Sequence, residues 1–446
     1  MTCITKAHLR APALIVVTLL TLISPDANSR QATAPAARAG TPRWIAAWAA
    51  SPQGPYATGY TVNEPSLAAA LAFGGTAAHQ TVRLIVHTAA AGDRVRVRLS
   101  NTFGAQPLTF GAASLARRAT GATLSPGSVR RLTFGGRSIV TIPPGREMYS
   151  DPVRLTVSAQ QDLAVSLYVP GLSGPAMTWH GSAFTTSYLS KPLAGDHSAD
   201  QGAAAFPYTT TSWFWLDGVD VATTAYAGVV VALGDSLTDG VLSSIDGNNR
   251  WPDVLARRLL RLPVGRRESV VDAGISGNTV SAIPCGPCGP ASVERLDRDV
   301  LGQAGVRQVI LFQGGQDIGR GASAAHIIAA MRDIARRVHA RGLAIDGATI
   351  TPDGGTTFFT TPAICLCMPA QREAVRQAVN AFVRKSGVFD AVIDFDALLR
   401  DPRRPDHLNA RYDSGDHLHP NVAGLQAMGD AIPLSIFAGS TGGASQ

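Results

Sequence analysis

The chain has 446 residues, 45% of them hydrophobic, and a formal net charge of +7. This length is too great for one ordinary domain and predicts two domains with cores of useful size. The basic residues are scattered, and no basic run alternates with aromatic residues, so the composition does not support nucleic-acid binding.

The N-terminus has the pattern of a secretory signal peptide. Lys6 and Arg10 precede an apolar run at residues 11–23, and small residues follow at 27–29. The run is too short for a stable membrane span, so we predict a cleaved signal peptide over residues 1–29 and an exported protein. An uncleaved N-terminal anchor is the alternative.

The next part of the chain predicts β-structure. A flexible leader is expected at residues 30–41 and an accessory β-domain at 42–226. Polar and apolar residues alternate strictly at 81–87 and 94–99, and further short apolar segments are separated by glycine, proline and aspartate. Short strands with regular turn signals predict an antiparallel sandwich or jelly roll.

From residue 227 onward, apolar strands alternate with amphipathic helices. We predict a domain over residues 227–437 and a disordered tail over 438–446. The alternation predicts a flavodoxin-like, five-stranded parallel sheet covered by helices on both faces. The predicted elements are strands at 229–233, 269–272, 309–312, 343–350 and 388–395, and helices at 251–262, 291–300, 322–340, 371–385 and 422–431.

Four polar segments follow predicted parallel strands or lie in the final loop. They contain Ser236 and residues 272–278, 314–317 and 414–420. Because the carboxyl ends of parallel strands meet at one edge of a sheet, the four segments are expected to lie together there.

The first and last of these segments predict a nucleophile and its base. A serine hydroxyl needs a base to remove its proton, and a carboxylate fixes the tautomer of a histidine base. Asp416 and His419 are three residues apart, so both side chains can point the same way, with His419 facing Ser236. His417 is the rival base, but it directly follows Asp416 and is expected to point elsewhere.

Acyl transfer also needs hydrogen-bond donors for an oxyanion, and losing one typically costs about 3 kcal/mol. The backbone N–H groups of Ser236 and Gly277 are suitable, because glycine allows close approach. A side-chain amide from residues 314–317 would complete the set.

Together these segments resemble the SGNH/GDSL hydrolase superfamily over about residues 227–435. The matching blocks are residues 234–237, residues 274–278 and the D-x-x-H pattern of Asp416 and His419. The resemblance implies Ser236 as nucleophile, His419 as base and Gly277 as an oxyanion donor. The β-rich half is more loosely similar to the non-catalytic domain that precedes some secreted members, through residues 44–48 and 98–104.

One position departs from the family pattern. The third block normally reads G-x-N-D, and its asparagine donates to the oxyanion, whereas this chain has Gln316 before Asp317. Glutamine carries the same donors on one more methylene and can serve if the loop retreats by about a bond length. The alternative is that Gln316 points away and two backbone donors remain.

Four cysteines lie beyond the signal segment, at Cys285, Cys288, Cys365 and Cys367. An even number in an exported chain favours disulfide bonds, and three pairings are open. Both cysteine pairs follow strands at the same edge, so we favour a cross-link between the two loops. A redox C-x-x-C site and a four-cysteine zinc site are weaker alternatives.

The leading hypothesis is a secreted serine esterase. The resemblance implies small-acyl esters, often acetyl groups on plant or microbial polysaccharides, or short-chain lipids, and it implies no metal or organic cofactor. The alternative is a carbohydrate-binding protein with a degenerate hydrolase domain, for which Gln316 and the tryptophans Trp179, Trp213 and Trp215 speak. A third interpretation makes the β-domain a brace or lid for the site. The sequence does not indicate an oligomeric state.

Overall fold

This computed structural model describes residues 41–56, 67–283, 286–359 and 369–437. The described residues contain two kinds of β-sheet. Strands up to residue 223 pair antiparallel, and those from residue 226 onward form one parallel sheet. We call the two parts the β-rich region and the parallel-sheet region. The predicted signal peptide, most of the leader and the predicted tail lie outside the described residues.

The β-rich region contains short strands joined by tight turns. They are β1 Arg43–Ala49, β2 Gly54–Pro55, β3 Ala78–His87, β4 Gly92–Ser100, β5 Leu108–Phe110, β6 Ala112–Thr120, β7 Thr123–Leu124, β8 Arg130–Arg131, β9 Val140–Ile142, β10 Glu147–Tyr149, β11 Val153–Val157, β12 Asp162–Leu172, β13 Thr178–His180, β14 Ser187–Leu189, β15 Tyr208–Thr210, β16 Trp213–Phe214 and β17 Leu216–Thr223.

These strands form several antiparallel sheets. One has the order β1-β17-β4-β10, with β11 also paired to β4, and a second has the order β15-β14-β3-β12-β6-β7, with β8 paired to β6. Smaller sheets are β16-β13-β2 and β5-β9. The predicted antiparallel strands are therefore confirmed, and the jelly roll remains a prediction.

The parallel sheet consists of β18 Tyr226–Gly234, β19 Arg267–Gly274, β20 Val306–Phe312, β21 Ala344–Ala348 and β22 Ala391–Ile393. Its order, β19-β18-β20-β21-β22, confirms the predicted five-stranded parallel sheet. The strand order reverses between β18 and β20, and in open α/β sheets a ligand site lies beyond the carboxyl ends at such a point.

Helices connect and cover these strands. They are α1 Ser236–Asp239, α2 Trp251–Leu260, α3 Ser292–Leu296, α4 Gly315–Gly319, α5 Ala324–His339, α6 Pro369–Lys385, α7 Phe395–Leu399 and α8 Val422–Ala431, with short 3₁₀ turns at Gly286–Cys288 and Leu434–Phe437. Helix α3 continues as a π-helical turn, Asp297–Leu301, where a single α-helix was predicted. Among the described residues, no helix is both long and apolar enough to cross a membrane.

The last strand is shorter than predicted because a helix begins in its expected range. The prediction extended the strand to residue 395, but β22 ends at Ile393. Asp394 accepts a hydrogen bond from the N–H of Ala397 and so caps α7, which begins at Phe395. A cap of this kind ends an extended segment at the residue before it.

Alternating residues of β18 pack into two different hydrophobic clusters. Val229, Val231 and Leu233 join α3, α5 and α6 on one face, whereas Val230 and Ala232 join α2 and α8 on the other. The first cluster continues without a break into the β-rich region, where it includes residues of β1, β3, β4 and β17. The hydrophobic core is therefore continuous across the predicted domain boundary between residues 226 and 227. The division into two domains at this boundary remains a prediction.

Candidate active site

Three strands of the parallel sheet end at the same level. Gly234 at the end of β18 is paired with Gly274 of β19 and with Phe312 of β20. The approach is close, because a Cβ on Gly274 would lie 2.7 Å from the Cα of Asp239. The loops that follow these strands carry Ser236, Gly277 and Gln316, so the predicted gathering of polar segments at one edge is observed.

Ser236 is the first residue of a short helix rather than part of an irregular turn. Asp235 caps α1 by accepting the Leu237 N–H at 3.1 Å. Burial raises the pKa of Asp235 to about 7, an effect that the nearby charge of Asp317 strengthens and the Leu237 N–H opposes. The N–H groups in the first turn of a helix have no acceptor within it, so the Ser236 N–H is available to a ligand.

Ser236, His419 and Asp416 form one hydrogen-bonded chain. Ser236 Oγ lies 2.8 Å from His419 Nε2, and His419 Nδ1 lies 2.6 Å from Asp416 Oδ2. The side chains of Ser236 and His419 are almost completely buried, at 4% and 3% exposure. The histidine that donates Nδ1–H to a carboxylate keeps its Nε2 lone pair for the serine proton, as general-base chemistry requires.

Asp416 is fixed as an acceptor from several directions. Its Oδ1 accepts the N–H groups of Leu418 and His419 at 3.0 and 2.8 Å and the Ser414 hydroxyl at 2.9 Å. Partial burial opposes ionisation, but the hydrogen bond and charge of His419 outweigh it and hold the pKa of Asp416 well below its ordinary value. Asp416 is therefore a carboxylate across the range in which an esterase works.

His417, the rival base, points away from Ser236. Its Nδ1 lies 2.6 Å from Asp413 Oδ2, and half of its side chain is exposed. Its φ of +60° turns the chain so that neighbouring histidines face different sides. The arrangement leaves His419 as the histidine in contact with the serine.

The two other predicted oxyanion donors lie on the neighbouring loops. Gly277 has φ of +78°, a left-handed conformation that favours glycine, and its carbonyl accepts from the Arg320 guanidinium at 3.3 Å. Gln316 is the second residue of α4 and is half-buried. The oxyanion roles of Gly277 and Gln316 stay predictions.

Arg295 is a residue of this site that the sequence did not reveal. Its fully buried guanidinium donates to the carbonyl oxygens of Gly234 and Ala273 at 3.0 and 2.8 Å, and to Asn278 Oδ1 at 3.1 Å. It thereby joins the ends of β18 and β19 and the loop that contains Gly277. Arg295 and Asp299 are four residues apart, a spacing typical of exposed ion pairs, so this spacing does not indicate that Arg295 is buried.

Asp317, like Arg295, holds a loop of the site in place through buried hydrogen bonds. Its buried carboxylate accepts the N–H groups of Val280 and Ser281, each at 2.9 Å, and the Ser281 hydroxyl. Burial raises the pKa of Asp317, while the donors of Ser281 and Val280 oppose that rise. The aspartate of the third block thus fixes the segment that follows Gly277, and its position directly after Gln316 was the signal for it.

The predicted disulfide bonds fall largely outside the described residues. Cys288 is buried. Cys285, Cys365 and Cys367 lie outside the part of the chain that the structure describes, so the preferred cross-link stays a prediction.

Several other histidine and aspartate side chains form ion pairs away from Ser236. His197 and His407 lie beside Asp200 and Asp406 near the surface. Asp396, two residues after Asp394, is buried and pairs with Arg376 and Arg384. These contacts account for those side chains without a role in catalysis.

Comparison with known proteins places the motifs in a family. Residues 232–427 match the model of the GDSL-like lipase/acylhydrolase family. Comparison with curated proteins gives no match.

Several solved structures are similar to about half of this chain. An aryl esterase of M. smegmatis has 17% identity and a TM-score of 0.38, covering 47% of this chain and 99% of that one. Est24, a carbohydrate acetylesterase from Sinorhizobium meliloti, has 16% identity and a TM-score of 0.37, covering 47% and 98%. A GDSL-like lipase from Bacteroides thetaiotaomicron VPI-5482 has 16% identity and a TM-score of 0.35, covering 47% and 88%.

These similarities are too distant to identify a substrate. The family match, in contrast, contains the G-D-S block, the glycine of the second block and the D-x-x-H block in order. Residues 232–427 therefore form a GDSL-like lipase/acylhydrolase domain of the SGNH/GDSL superfamily, which indicates a carboxylic ester hydrolase.

Proposed function

We propose that the protein is a secreted serine esterase that hydrolyses small-acyl esters, above all acetyl esters of carbohydrates or of short-chain lipids. The observation that carries the proposal is the hydrogen-bonded chain of Ser236, His419 and Asp416 at the carboxyl edge of the parallel sheet. This geometry and the family pattern together support the roles of the three residues in the reaction.

Acylation begins at the Ser236 hydroxyl. Its oxygen attacks the carbonyl carbon of the ester while its proton passes to His419 Nε2, 2.8 Å away. Asp416 stabilises the imidazolium that forms, because it accepts Nδ1–H and remains ionised. The tetrahedral intermediate collapses, the carbon–oxygen bond to the alcohol breaks, and His419 returns the proton to the leaving oxygen.

Deacylation repeats these steps with water. His419 takes a proton as the water oxygen attacks the acyl carbon, and the bond to Ser236 Oγ breaks as His419 returns the proton to it. The products are a carboxylic acid and the free serine. No step needs an oxidant or a reductant.

The negative charge on the intermediate is stabilised by the N–H groups of Ser236 and Gly277 and by the Gln316 amide. A single donor of this kind is worth about 3 kcal/mol in related chemistry. Gln316 completes the set if its longer side chain turns toward Ser236. This assignment predicts a measurable loss of rate when the amide is removed.

The preference for small acyl groups is supported by burial around the reacting atoms. Ser236 and His419 are 4% and 3% exposed, so little of either side chain is open to solvent. The ring of Phe358, about half exposed, meets the His419 ring edge-on at 5.5 Å and adds apolar surface beside the base. We infer from this burial a preference for a small group such as acetyl over a long acyl chain.

Secretion is part of the proposal because of the N-terminal pattern. The basic residues, the apolar run at 11–23 and the small residues at 27–29 support a signal peptide. Export would also allow the cysteines to form disulfide bonds. Detection of the mature protein outside the cell, beginning near residue 30, tests this part.

The catalytic part is tested with p-nitrophenyl acetate. The wild-type protein is expected to release p-nitrophenol, and Ser236→Ala is expected to reduce kcat by about 10⁴-fold or more, as in other serine hydrolases. Equal rates for the two proteins would refute the proposal. A chain-length series of esters, followed by acetate release from acetylated xylan, then identifies the acyl group and the alcohol.

The alternative function, carbohydrate binding by a degenerate hydrolase, loses one of its two supports. The side chains of Trp179, Trp213 and Trp215 are 1%, 3% and 2% exposed, so they do not present faces to a sugar. The replacement of asparagine by Gln316 remains in its favour. Saturable polysaccharide binding without acetate release would favour this alternative.

A further inference from the structure

A buried histidine of the β-rich region faces the helix that begins with Ser236. His180 is the last residue of β13 and is 4% exposed. Its Nε2 lies 3.3 Å from Oδ1 of Asp239, the last residue of α1, which is also buried. The β-rich region therefore contacts the nucleophile helix through a basic side chain.

Both ring nitrogens of His180 face acceptors. Nδ1 lies 2.8 Å from the carbonyl oxygen of Ser51, and Nε2 is at ion-pair distance from Asp239, without the angle of a hydrogen bond. A carbonyl and a carboxylate only accept, and a neutral imidazole carries one N–H. The imidazolium, with two N–H groups, is the form that suits both neighbours.

The surroundings of the ring suit a cation. The His180 ring is stacked on Trp213 with centroids 5.4 Å apart and an interplanar angle of 29°. An aromatic face attracts a positive charge. Two other buried carboxyls, Asp235 and Asp272, interact electrostatically with Asp239. The cations of this cluster are Arg295, near Asp239, and Arg250, which lies 3.6 Å from Asp272 and 5.8 Å from the Trp213 ring centroid.

Asp239 transmits this contact to the loop that contains Gly277. Its Oδ2 accepts the N–H of Ser276 at 2.8 Å and the Ser276 hydroxyl at 2.5 Å. Ser276 directly precedes Gly277, so the direction of the Gly277 N–H depends on how Ser276 is held. Ser182, two residues after His180, also contacts the Ser276 hydroxyl, at 3.1 Å.

We propose that His180 is a positioning residue: as an imidazolium it orients Asp239, and through Asp239 and Ser276 it fixes the Gly277 N–H that stabilises the oxyanion. The role of Gly277 in this inference rests on the proposed function. The β-rich region thereby contributes to the rate of the reaction, although His180 does not touch the substrate.

A matched pair of substitutions separates the two nitrogens of the ring. His180→Gln places an N–H donor near the position of Nε2 and keeps the contact with Asp239, whereas His180→Asn places its donor near Nδ1 and loses that contact. We expect His180→Asn to lower kcat about tenfold with KM within about twofold, because it misdirects an oxyanion donor rather than removing it. We expect His180→Gln to keep kcat within about threefold of wild type.

The control is His197→Asn, because His197 forms a similar pair with Asp200 near the surface of the β-rich region. It is expected to leave kcat and KM unchanged. Wild-type kcat in His180→Asn, equal losses in both His180 variants, or a change in KM alone would overturn the inference. If His180→Asn does not fold, Asp239→Asn is measured instead, and wild-type kcat in that variant overturns the inference as well.

Failure of the proposed function gives a different result. If the wild-type protein and Ser236→Ala hydrolyse esters equally, the esterase proposal fails, and nitrogen NMR of the wild-type histidine rings at neutral pH then decides the His180 inference. Protonation of both His180 nitrogens supports the ion pair with Asp239. A neutral ring, with one nitrogen bare, overturns it.

Discussion

The predicted catalytic and oxyanion residues all belong to the parallel-sheet region: Ser236 and Gln316 lie in the short helices α1 and α4, and Gly277, Asp416 and His419 lie on loops. The β-rich region reaches the same edge through residues 51–53 and 180–182. Its contacts there are supporting ones: Ser51 accepts from Arg295 at 3.1 Å, and the Gln53 amide donates to the Pro287 carbonyl at 2.9 Å. The side chains that take part in the chemical steps thus come from one region, and both regions hold them in place.

The same comparison applied to hydrophobic packing gives a different result. One cluster of buried residues includes Ile45 and Val221 of the β-rich region together with Val231 and Leu296 of the parallel-sheet region. The backbone contributes as well, because the Ala46 N–H of β1 donates to the Ala304 carbonyl at 2.8 Å. Catalytic groups are therefore local to a few loops, while stability is shared by both regions.

The strongest test of this comparison is removal of the β-rich region. A chain lacking residues 30–225 would expose the apolar residues that β1 and β17 cover, at a cost of about 25 cal/mol for each Å². We expect an insoluble product, or one without a cooperative unfolding transition in circular dichroism. A soluble and active remainder would show that the two regions are energetically independent and that the β-rich region is not a brace.

A change confined to one predicted oxyanion donor should reduce activity and leave stability unchanged. Gln316→Ala is expected to lower kcat by about 100-fold or more, because it removes one oxyanion donor, and to leave the melting temperature unchanged. Steady-state kinetics with p-nitrophenyl acetate and a thermal melt measure both quantities.

Gln316→Asn is the matched control, since it restores the amide of the family pattern and is expected to retain most of the activity. An alanine variant with wild-type kcat would contradict the role of Gln316 and leave two backbone donors. In that case α4 would line the site without donating a hydrogen bond to the oxyanion.

The smallest expected effect concerns a buried carboxyl of the parallel sheet that lies away from the site. Burial raises the pKa of Asp346 to about 7, helped by the charges of Asp390 and Glu268 and opposed by the Gln308 amide. Since the unfolded carboxyl titrates near pH 4, the folded state holds an extra proton between about pH 4 and 7. The free energy of unfolding therefore falls as pH rises through that window, by up to about 1.4 kcal/mol per pH unit.

Asp346→Asn removes this titration while keeping the shape of the side chain. We expect a variant that is more stable than wild type at pH 8, with a flatter dependence of unfolding free energy on pH and an unchanged kcat. Urea unfolding between pH 5 and 8 measures the slope, and Asp430→Asn, at an exposed position on α8, is the control. An unchanged slope in the Asp346 variant would mean that another carboxyl dominates.

Much of the parallel-sheet region could be predicted from the sequence because its signals are local. A run such as residues 229–233 has no polar residue and forms a strand buried on both faces. The three-residue spacing of Asp416 and His419 also fixes their relative direction within one turn of chain. Ser236 lies 183 residues before His419, but the position of each segment after a strand was enough to bring them together.

The supporting residues could not be predicted because their contacts depend on the tertiary fold. Arg295 has the same spacing to Asp299 as a surface ion pair, and its burial follows from the packing of α3 against β18 and β19. His180 has no partner close to it in the sequence, because Asp239 lies in the other region. The sequence pattern around His180 contains no information about the position of Asp239, and the reverse is also true.

The alignment of Gly234, Gly274 and Phe312 across three strands has a consequence for engineering. Neighbouring strands are spaced by about 4.8 Å, so the distances between the starting points of the three loops are set by the sheet. Residues farther along each loop can then be lengthened, shortened or exchanged while the first few positions keep their mutual geometry. Libraries that seek a new alcohol specificity are best directed to residues after Gly240 and Gly319, where the chain has moved away from the aligned strand ends.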